Sequence, residues 1–503
     1  MIHIYVNEKN LEYDIYALFK AFFPEEEINI ELCSNAGESA RVPSFYDIRL
    51  CKDKVSCTYY TSDEPGCTEG EDKTGNSGIC SARYSDSEDI LSPGKPVLKD
   101  AMKRCIYRCV RQVSSRELPW GILTGIRPVK LSMTMLNKGE DDEHIEKFLK
   151  YRYLMSDEKI GLSIEIAHKE RKILKRIDRY DGYSLYIGIP FCPTTCLYCS
   201  FTSYPIVKWK DRVDDYIACL KKELDLVHEL YGGRAPDTVY IGGGTPTTLS
   251  EEQLRDLIGY LKGRFDFDKV LEFTVEAGRP DSITEEKLRT LKELGVTRIS
   301  INPQTMNDET LKIIGRRHTV EDVRRAFGMA RECGIDNINT DIILGLPGEN
   351  IDHVRHTMEE ISKLDPASLT VHSMAIKRAA GMAEFLKDHE DIKSINTPEM
   401  LKEADRTARK MGMSPYYLYR QKNMAGNFEN VGYAREGCYG IYNILIMEEV
   451  QSILAVGAGT VSKRVYPDGL ITRCDNVKDV DLYMNRLDEM LNRKRELFAQ
   501  LPV

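Results

Sequence analysis

The chain lacks the features typical of nucleic-acid-binding, membrane-spanning or disulfide-rich proteins. Its 503 residues include 70 Lys and Arg against 79 Asp and Glu, a net charge of −9, which gives no basic excess for a phosphate backbone. No run approaches the about 18 apolar residues that cross a bilayer, and the N-terminus has no basic segment followed by an apolar one. Fourteen cysteines are too sparse for a disulfide scaffold. We therefore expect a cytoplasmic protein that binds no nucleic acid and has no membrane span.

Residues 1–178 are predicted to form an accessory α+β region. Short runs near the N-terminus alternate apolar and polar residues, and helical periodicity follows from Pro96 to about Ile177. Between Thr61 and Ile90 the chain is rich in Gly, Ser, Asp and Glu. The few apolar residues there cannot offset the entropy of ordering the backbone, so we predict a mobile acidic loop near residues 61–90.

Residues 179–385 alternate short apolar strands with amphipathic helices, a pattern typical of βα units around a parallel sheet. Gly295 and Gly334 each follow a predicted helix, where a left-handed cap is expected. The pattern predicts an α/β fold, a partial (β/α)6 TIM-like barrel with its active site at the carboxyl ends of the strands. The six strands are predicted at residues 183–189, 238–242, 272–276, 298–302, 339–344 and 369–374.

Residues 386–503 are predicted to form a mostly helical C-terminal domain that covers the substrate. Apolar and charged residues predict helices over 398–410 and 480–500, on either side of a stretch rich in Tyr and Gly.

Three cysteines, Cys192, Cys196 and Cys199, stand close together immediately after the first predicted barrel strand. A structural zinc site needs four ligands, and no fourth ligand stands nearby. An iron–sulfur cluster held by three cysteines leaves one iron open for a substrate or cofactor. The spacing favours the cluster and leaves zinc as an alternative.

The loop that runs from Tyr186 through Cys199, Tyr-Ile-Gly-Ile-Pro-Phe-Cys-Pro-Thr-Thr-Cys-Leu-Tyr-Cys, resembles the cluster loop of radical S-adenosylmethionine (SAM) enzymes. In particular it resembles the oxygen-independent coproporphyrinogen III oxidase family, most of all its coproporphyrinogen dehydrogenase branch with an extra N-terminal region. Matching motifs continue in the expected order to about Leu346. The resemblance implies a [4Fe–4S] cluster on the three cysteines, with SAM on the open iron.

The resemblance also implies how SAM is held at the strand ends. The Gly-Gly-Gly-Thr-Pro motif is implied to bind the methionine amino group, Arg316 the carboxylate, and Asp341 the ribose hydroxyls. Tyr186 is implied to lie beside the sulfonium. The implied cofactor-binding residues are Tyr198, Gly243, Gly244, Thr245, Glu276, Gln304, Arg316, Asp341 and Ile343.

The activity that this resemblance implies is oxidative decarboxylation of coproporphyrinogen III, by a 5′-deoxyadenosyl radical, in haem biosynthesis. Two propionates become vinyl groups and give protoporphyrinogen IX, with reduced flavodoxin or ferredoxin as electron donor. A chain of net charge −9 must gather local positive charge to hold a substrate with four propionates. The candidate anchors are Arg127, Arg378, Arg420 and Lys422.

Two other functions stay open. Relatives with the same barrel are haem-binding chaperones, and they carry a His-Asn pair in the C-terminal region. The corresponding stretch here, residues 436–443, has no histidine, which favours the enzyme. Cys438 and His372 are the candidate axial ligands for haem. A radical SAM methyltransferase is excluded by no residue. The family often has histidine at the position of Gly188, and its well-studied bacterial oxidases have a fourth cysteine at that of Phe201.

Overall fold

The computed structural model describes residues 1–33, 42–61, 81–90, 94–375, 381–421 and 428–499. Most of the predicted acidic loop and two candidate anchors, Arg378 and Lys422, lie outside the described residues. The chain divides into two compact units, Met1–Glu165 with Arg420–Glu429, and Ile166–Tyr419 with Asn430–Val503. This division differs from the three consecutive regions that the sequence predicted.

The first unit is an α+β structure on a five-stranded sheet of order β2-β1-β3-β4-β5. Strand β1 is parallel to both of its neighbours, and β3, β4 and β5 run antiparallel. Apolar side chains of the sheet pack with those of α1 and α2 in one buried core. The elements are β1 (Ile2–Val6), α1 (Glu12–Phe22), β2 (Ile28–Leu32), β3 (Ser44–Leu50), β4 (Lys54–Thr61), β5 (Ser81–Asp89), α2 (Lys95–Ser114), α3 (Val129–Asn137), α4 (Asp142–Tyr153) and α5 (Asp157–Leu174), which extends into the second unit.

Strand β5 corrects the prediction of a loop over its residues. Arg108 of α2 pairs with Asp86 at 2.7 Å and with Glu88 at 3.0 Å, and Arg104 also pairs with Glu88. The prediction counted only apolar residues, whereas this polar strand is held by its ladder with β4 and by cations from a helix distant in sequence.

The second unit contains the predicted partial barrel. Strands β6, β9, β10, β11, β12 and β13 are consecutive parallel neighbours, and their bounds agree with the prediction to within two residues. Gly295 and Gly334 adopt the left-handed φ values of +80° and +76° expected after a helix. The elements are β6 (Tyr183–Ile189), β7 (Phe191–Cys192), β8 (Tyr204–Pro205), α6 (Val213–Leu230), β9 (Thr238–Gly243), α7 (Glu251–Arg264), β10 (Glu272–Glu276), α8 (Glu285–Glu293), β11 (Arg298–Ser300), α9 (Asp308–Ile313), α10 (Val320–Glu332), β12 (Ile338–Leu344), α11 (Ile351–Leu364) and β13 (Ser368–Ser373).

The C-terminal region adds five strands that the sequence analysis did not predict. Strand β15 pairs antiparallel with β13 at one edge of the sheet, while β16 pairs parallel with β6 at the other. These strands therefore extend the barrel sheet. The elements are α12 (Met382–Asp388), α13 (Pro398–Lys410), β14 (Ser414–Tyr419), β15 (Asn430–Ala434), α14 (Ile441–Glu448), β16 (Ser452–Val456), β17 (Val461–Val465), β18 (Ile471–Asp475), α15 (Val480–Asn485) and α16 (Leu487–Ala499).

The helix predicted over 398–410 is confirmed by α13, whereas the one predicted over 480–500 is interrupted at Arg486, between α15 and α16. Over the residues that the structure describes, no helix has both the length and the apolar character to cross a bilayer.

Candidate active site

The cysteine loop begins in β7 and lies at the carboxyl end of β6. Thr245 Oγ1 lies 3.4 Å from Cys192 Sγ, and Arg279 Nη1 lies 3.4 Å from Cys196 Sγ. Burial raises the pKa of the Cys192 thiol, and the hydrogen bond from Thr245 opposes that rise. Donors placed against sulfur favour its thiolate form, which is the form that binds metal.

The glycine motif brings the end of β9 against this loop. Gly244 N donates to Ile189 O at 2.7 Å, and Thr245 N donates to Phe191 O at 2.7 Å. A Cβ on Gly244 would lie 2.6 Å from Phe191 O, and Gly243 has a φ of +109°. A side chain fits at neither position without strain, so the glycines allow the two backbones to approach closely.

Glu276 ends β10 inside the barrel beside a group of stacked tyrosine rings. Tyr240 Oη donates to Glu276 Oε1 at 2.6 Å. Burial raises the pKa of Glu276 to about 7 although this hydrogen bond opposes the rise. The Tyr240 and Tyr442 ring centroids are 4.6 Å apart, and Tyr186 stacks on both at about 6 Å. The three stacked rings therefore lie next to Glu276, with Tyr240 in contact with its carboxylate.

Several buried polar atoms for which the described residues offer no hydrogen-bond partner lie at the end of strand β11 and in the segment that follows it. Among the described residues, no hydrogen-bond partner is found for the buried atoms Ser300 Oγ, Asn302 Oδ1, Gln304 Oε1 and Arg316 Nε. Gln304 also has a φ of +71°, an uncommon conformation for a residue other than glycine. Buried polar atoms without partners are costly, so several of them together indicate a site for a polar ligand.

Arg316 and Asp341 are held in fixed orientations. Arg316, 7% exposed, donates from Nη1 to Asn302 O at 2.6 Å and from Nη2 to Tyr198 Oη at 2.9 Å. Asp341 accepts from Asn339 Nδ2 at 2.7 Å and lies 3.7 Å from His372 Nε2. Although burial opposes it, the interaction with His372 lowers the pKa of Asp341 below its usual value.

All of the predicted cluster and cofactor residues belong to the second unit, and most of them lie on a parallel strand or in the segment after it, whereas Arg316 follows helix α9. Ile343 follows Asp341 by two residues on β12 and therefore shares its face of the strand. The structure thus brings the predicted set to one edge of the barrel.

The two candidate propionate anchors that the structure describes, Arg127 and Arg420, belong to the first unit. Arg420 belongs to the first unit, is 4% exposed, and donates from Nη1 to Leu123 O at 2.6 Å. Burial lowers its pKa to about 10. Its guanidinium also lies over the Trp120 ring. Arg420 is thus an internal structural residue, and Arg127 is half-buried in the same unit.

Sequence reasoning missed Arg279, Tyr240 and His318. Arg279 stands in the motif Glu-Ala-Gly-Arg-Pro after β10, and its position beside a strand end was the available signal. His318, 3% exposed, has no partner for either ring nitrogen among the described residues, and burial lowers its pKa to about 3. His318 is therefore neutral at physiological pH.

The loop after β16 lies against the end of β6. Tyr216 Oη donates to Gly188 O at 2.7 Å and accepts from Ala458 N at 3.0 Å. Gly457 N donates to Glu223 Oε2 at 2.7 Å, and a Cβ on Gly457 would lie 2.5 Å from Gly188 O. A seventh parallel strand thus supports the barrel strand from which the cysteine loop continues.

Residues 186–361 match the model of the Radical SAM superfamily. The chain is 43% identical over 387 residues to the oxygen-independent coproporphyrinogen-III oxidase-like protein HemZ of Bacillus subtilis, covering 76% of this chain and 77% of that one. It is 42% identical over 200 residues to the heme chaperone HemW of the same organism, covering 39% and 51%. Coproporphyrinogen III oxidase (HemN) of Escherichia coli has a similar structure, with a TM-score of 0.50 and 23% identity over 64% of this chain and 73% of that chain.

Members of this superfamily use a [4Fe–4S] cluster and SAM, which are therefore the cofactors of this chain. The structural zinc site that the cysteine spacing left open is thereby excluded. The residues present fit both groups, since three cysteines share one loop and unpaired polar atoms lie at the adjoining strand ends. The chain belongs to the radical SAM superfamily and, within it, to the family of oxygen-independent coproporphyrinogen III oxidase-like proteins.

Proposed function

We propose that this protein is an enzyme that oxidatively decarboxylates propionate side chains of coproporphyrinogen III to vinyl groups. The observation that carries this proposal is the combination of 43% identity with coverage of 77% of a relative named as oxidase-like.

The proposed role of each residue follows from its position in the site. Cys192, Cys196 and Cys199 hold the cluster, which with SAM supplies a carbon radical able to take a hydrogen atom from the substrate. Arg316 holds the methionine carboxylate of SAM, for which its buried Nε is still unpaired among the described residues. Asp341, oriented by Asn339, accepts from the ribose hydroxyls.

The remaining predicted residues enclose SAM on its other sides. Gly243, Gly244 and Thr245 let the backbone reach the amino group, and Glu276 and Gln304 supply carboxylate and amide oxygens. Tyr198 and Ile343 would lie against the adenine of SAM, and Tyr186 would lie beside its sulfonium. These groups orient SAM and exclude water from the reacting atoms.

The substrate chemistry needs an electron acceptor as well as a donor. Each propionate gives one hydrogen atom to the carbon radical, then loses carbon dioxide and passes one electron to a one-electron acceptor, and a vinyl group remains. We propose a reduced flavodoxin or ferredoxin as the donor of the electron that starts each turnover.

A haem chaperone is the second candidate, and the contacts of the possible axial ligands disfavour it. His372 Nδ1 lies 3.2 Å from Tyr419 Oη, and its Nε2 lies 3.7 Å from Asp341. Both ring nitrogens of His372 are thus engaged. The other candidate axial ligand, Cys438, is half-buried.

Substitution of Arg316 by alanine is expected to weaken SAM binding by ~1.5–3 kcal/mol, the scale of a lost hydrogen bond to a charged group. Lysine should rescue poorly because it lacks the planar fork of arginine. Binding is measured by equilibrium titration of the anaerobic, cluster-loaded protein. The matched control is Arg317→Ala, which removes an exposed arginine one residue away. Unchanged affinity in Arg316→Ala, with a normal cluster spectrum, would exclude this role.

The activity is tested by incubating the anaerobically reconstituted protein with SAM, a low-potential reductant, a one-electron acceptor and coproporphyrinogen III. We expect products that have lost carbon dioxide and two hydrogens per propionate, identified by mass spectrometry, together with 5′-deoxyadenosine. A parallel titration with haemin measures haem binding. Stoichiometric haemin binding without a porphyrinogen product would favour the chaperone, and a methylated product would favour a methyltransferase.

A further inference from the structure

Arg279 is a buried cation in contact with the cysteine loop. It is 3% exposed, and its Nη1 lies 3.4 Å from Cys196 Sγ. The same guanidinium donates to Thr194 O at 3.3 Å and to Thr194 Oγ1 at 3.2 Å. Arg279 therefore binds both the backbone and a sulfur of the loop.

A carboxylate fixes the orientation of this guanidinium. Asp281 accepts from Arg279 Nε at 3.0 Å and from Nη2 at 2.8 Å, a bidentate pair. With Nε and Nη2 held by Asp281, Nη1 is directed at Thr194 and Cys196. Arg279 and Asp281 are two residues apart after β10, and their side chains are only 4% and 21% exposed, so little water competes for this ion pair.

We propose that Arg279 is a positioning residue that raises the reduction potential of the iron–sulfur cluster through Cys196. The inference rests on the proposed assignment of Cys192, Cys196 and Cys199 as the cluster ligands.

The physical reason is electrostatic. One-electron reduction makes the cluster and its thiolates more negative, and an N–H donor or a cation near a ligating sulfur stabilises the reduced state more than the oxidised one. Burial strengthens the effect because little water screens the charge. Arg316 also interacts with Cys196, but its proposed task is to bind SAM. The side-chain contacts of Arg279 are instead with Asp281 and with Thr194 and Cys196 of the cysteine loop.

The test compares Arg279→Gln and Arg279→Lys with wild type and with the control Arg317→Gln, which removes the same charge from an exposed neighbour of Arg316. Iron and sulfide are determined first. The midpoint potential is then measured without SAM, by anaerobic titration of the paramagnetic signal of the reduced cluster.

In loaded Arg279→Gln we expect the ratio of reduced to oxidised cluster at a fixed potential to fall about tenfold, a shift of about 59 mV for one electron. Arg279→Lys should lie between this variant and wild type, and Arg317→Gln should match wild type. A loaded Arg279→Gln with the wild-type midpoint overturns the proposal. If Gln prevents loading, Arg279→Lys decides, and a wild-type midpoint there, or loss of the cluster from both variants, overturns it.

Failure of the proposed function has a different signature. If the cysteine assignment is wrong, removal of the three cysteines leaves the cluster content of the otherwise wild-type protein unchanged, whatever the potentials of the Arg279 variants. If Arg279 alone has been misjudged, the cysteine variant loses its cluster and the Arg279 midpoints remain at the wild-type value.

Discussion

Replacement of Cys192, Cys196 and Cys199 together by alanine is expected to remove the bound iron and sulfide and to reduce SAM cleavage below detection. These cysteines lie on one loop at the carboxyl end of β6, where Thr245 and Arg279 direct donors at two of the sulfurs. The cluster provides the electron for SAM cleavage, so no partial activity should remain. Iron and sulfide analysis, the absorption spectrum and the formation of 5′-deoxyadenosine measure the result.

The matched control is the triple alanine variant of Cys219, Cys333 and Cys438, which are likewise partly exposed and belong to the same unit. This variant should keep its full cluster content, as should proteins lacking the buried Cys57, Cys105 or Cys109, provided that they fold. A cysteine-loop variant that retains iron and sulfide at the wild-type level would refute the assignment.

Substitution of Lys494 by methionine is expected to destabilise the second unit by ~3–5 kcal/mol, the usual cost of removing one partner of a buried ion pair. Lys494 Nζ lies 2.6 Å from Glu223 Oε1, and their side chains are 1% and 0% exposed. Glu223 also accepts from Tyr483 Oη at 2.6 Å and from Gly457 N at 2.7 Å. Loss of the ammonium leaves a carboxylate buried without its cation next to the loop that supports β6.

The measurement is hydrogen exchange of peptides from α6 and α16 across a urea series, because a chain of two units need not unfold in one transition. The double variant Glu223→Gln with Lys494→Met should recover part of the loss, since neither charge remains. Lys221→Met is the control, because Lys221 pairs with the exposed Asp256 at the same 2.6 Å and should cost less than about 1 kcal/mol. Equal effects of Lys494→Met and Lys221→Met would contradict the prediction.

Local periodicity predicted the barrel well. Each of its strands is a short run next to an amphipathic helix, and Gly295 and Gly334 follow two of these helices, so each repeating unit is encoded locally and needs no distant contact to be recognised. The cysteine loop could also be predicted from the sequence, because its three cysteines lie within eight residues. Polar residues at the strand ends could then be predicted to lie close together, because parallel strands present their carboxyl ends at one edge of the sheet.

Strands whose partners are distant in sequence were not predicted. Strand β16 is a five-residue apolar run that periodicity cannot distinguish from a helix segment, and its pairing partner β6 lies more than 260 residues earlier. Strand β5 is polar and depends on cations from α2. The segment Arg420–Glu429 belongs to the first unit, although the residues on both sides of it in the chain belong to the second. In the first unit, Trp120 Nε1 donates to Glu429 at 2.8 Å, and these two residues are likewise distant in sequence.

The superfamily, the partial barrel and the cysteine loop could be predicted without a structure, because they depend on short-range patterns and on residues close together in the chain. The internal position of Arg420, the support of β6 by β16 and the contact of Arg279 with Cys196 became visible only in the folded chain. Burial, ion pairing and hydrogen bonding to sulfur depend on which distant segments meet, and a single sequence carries no direct record of those contacts.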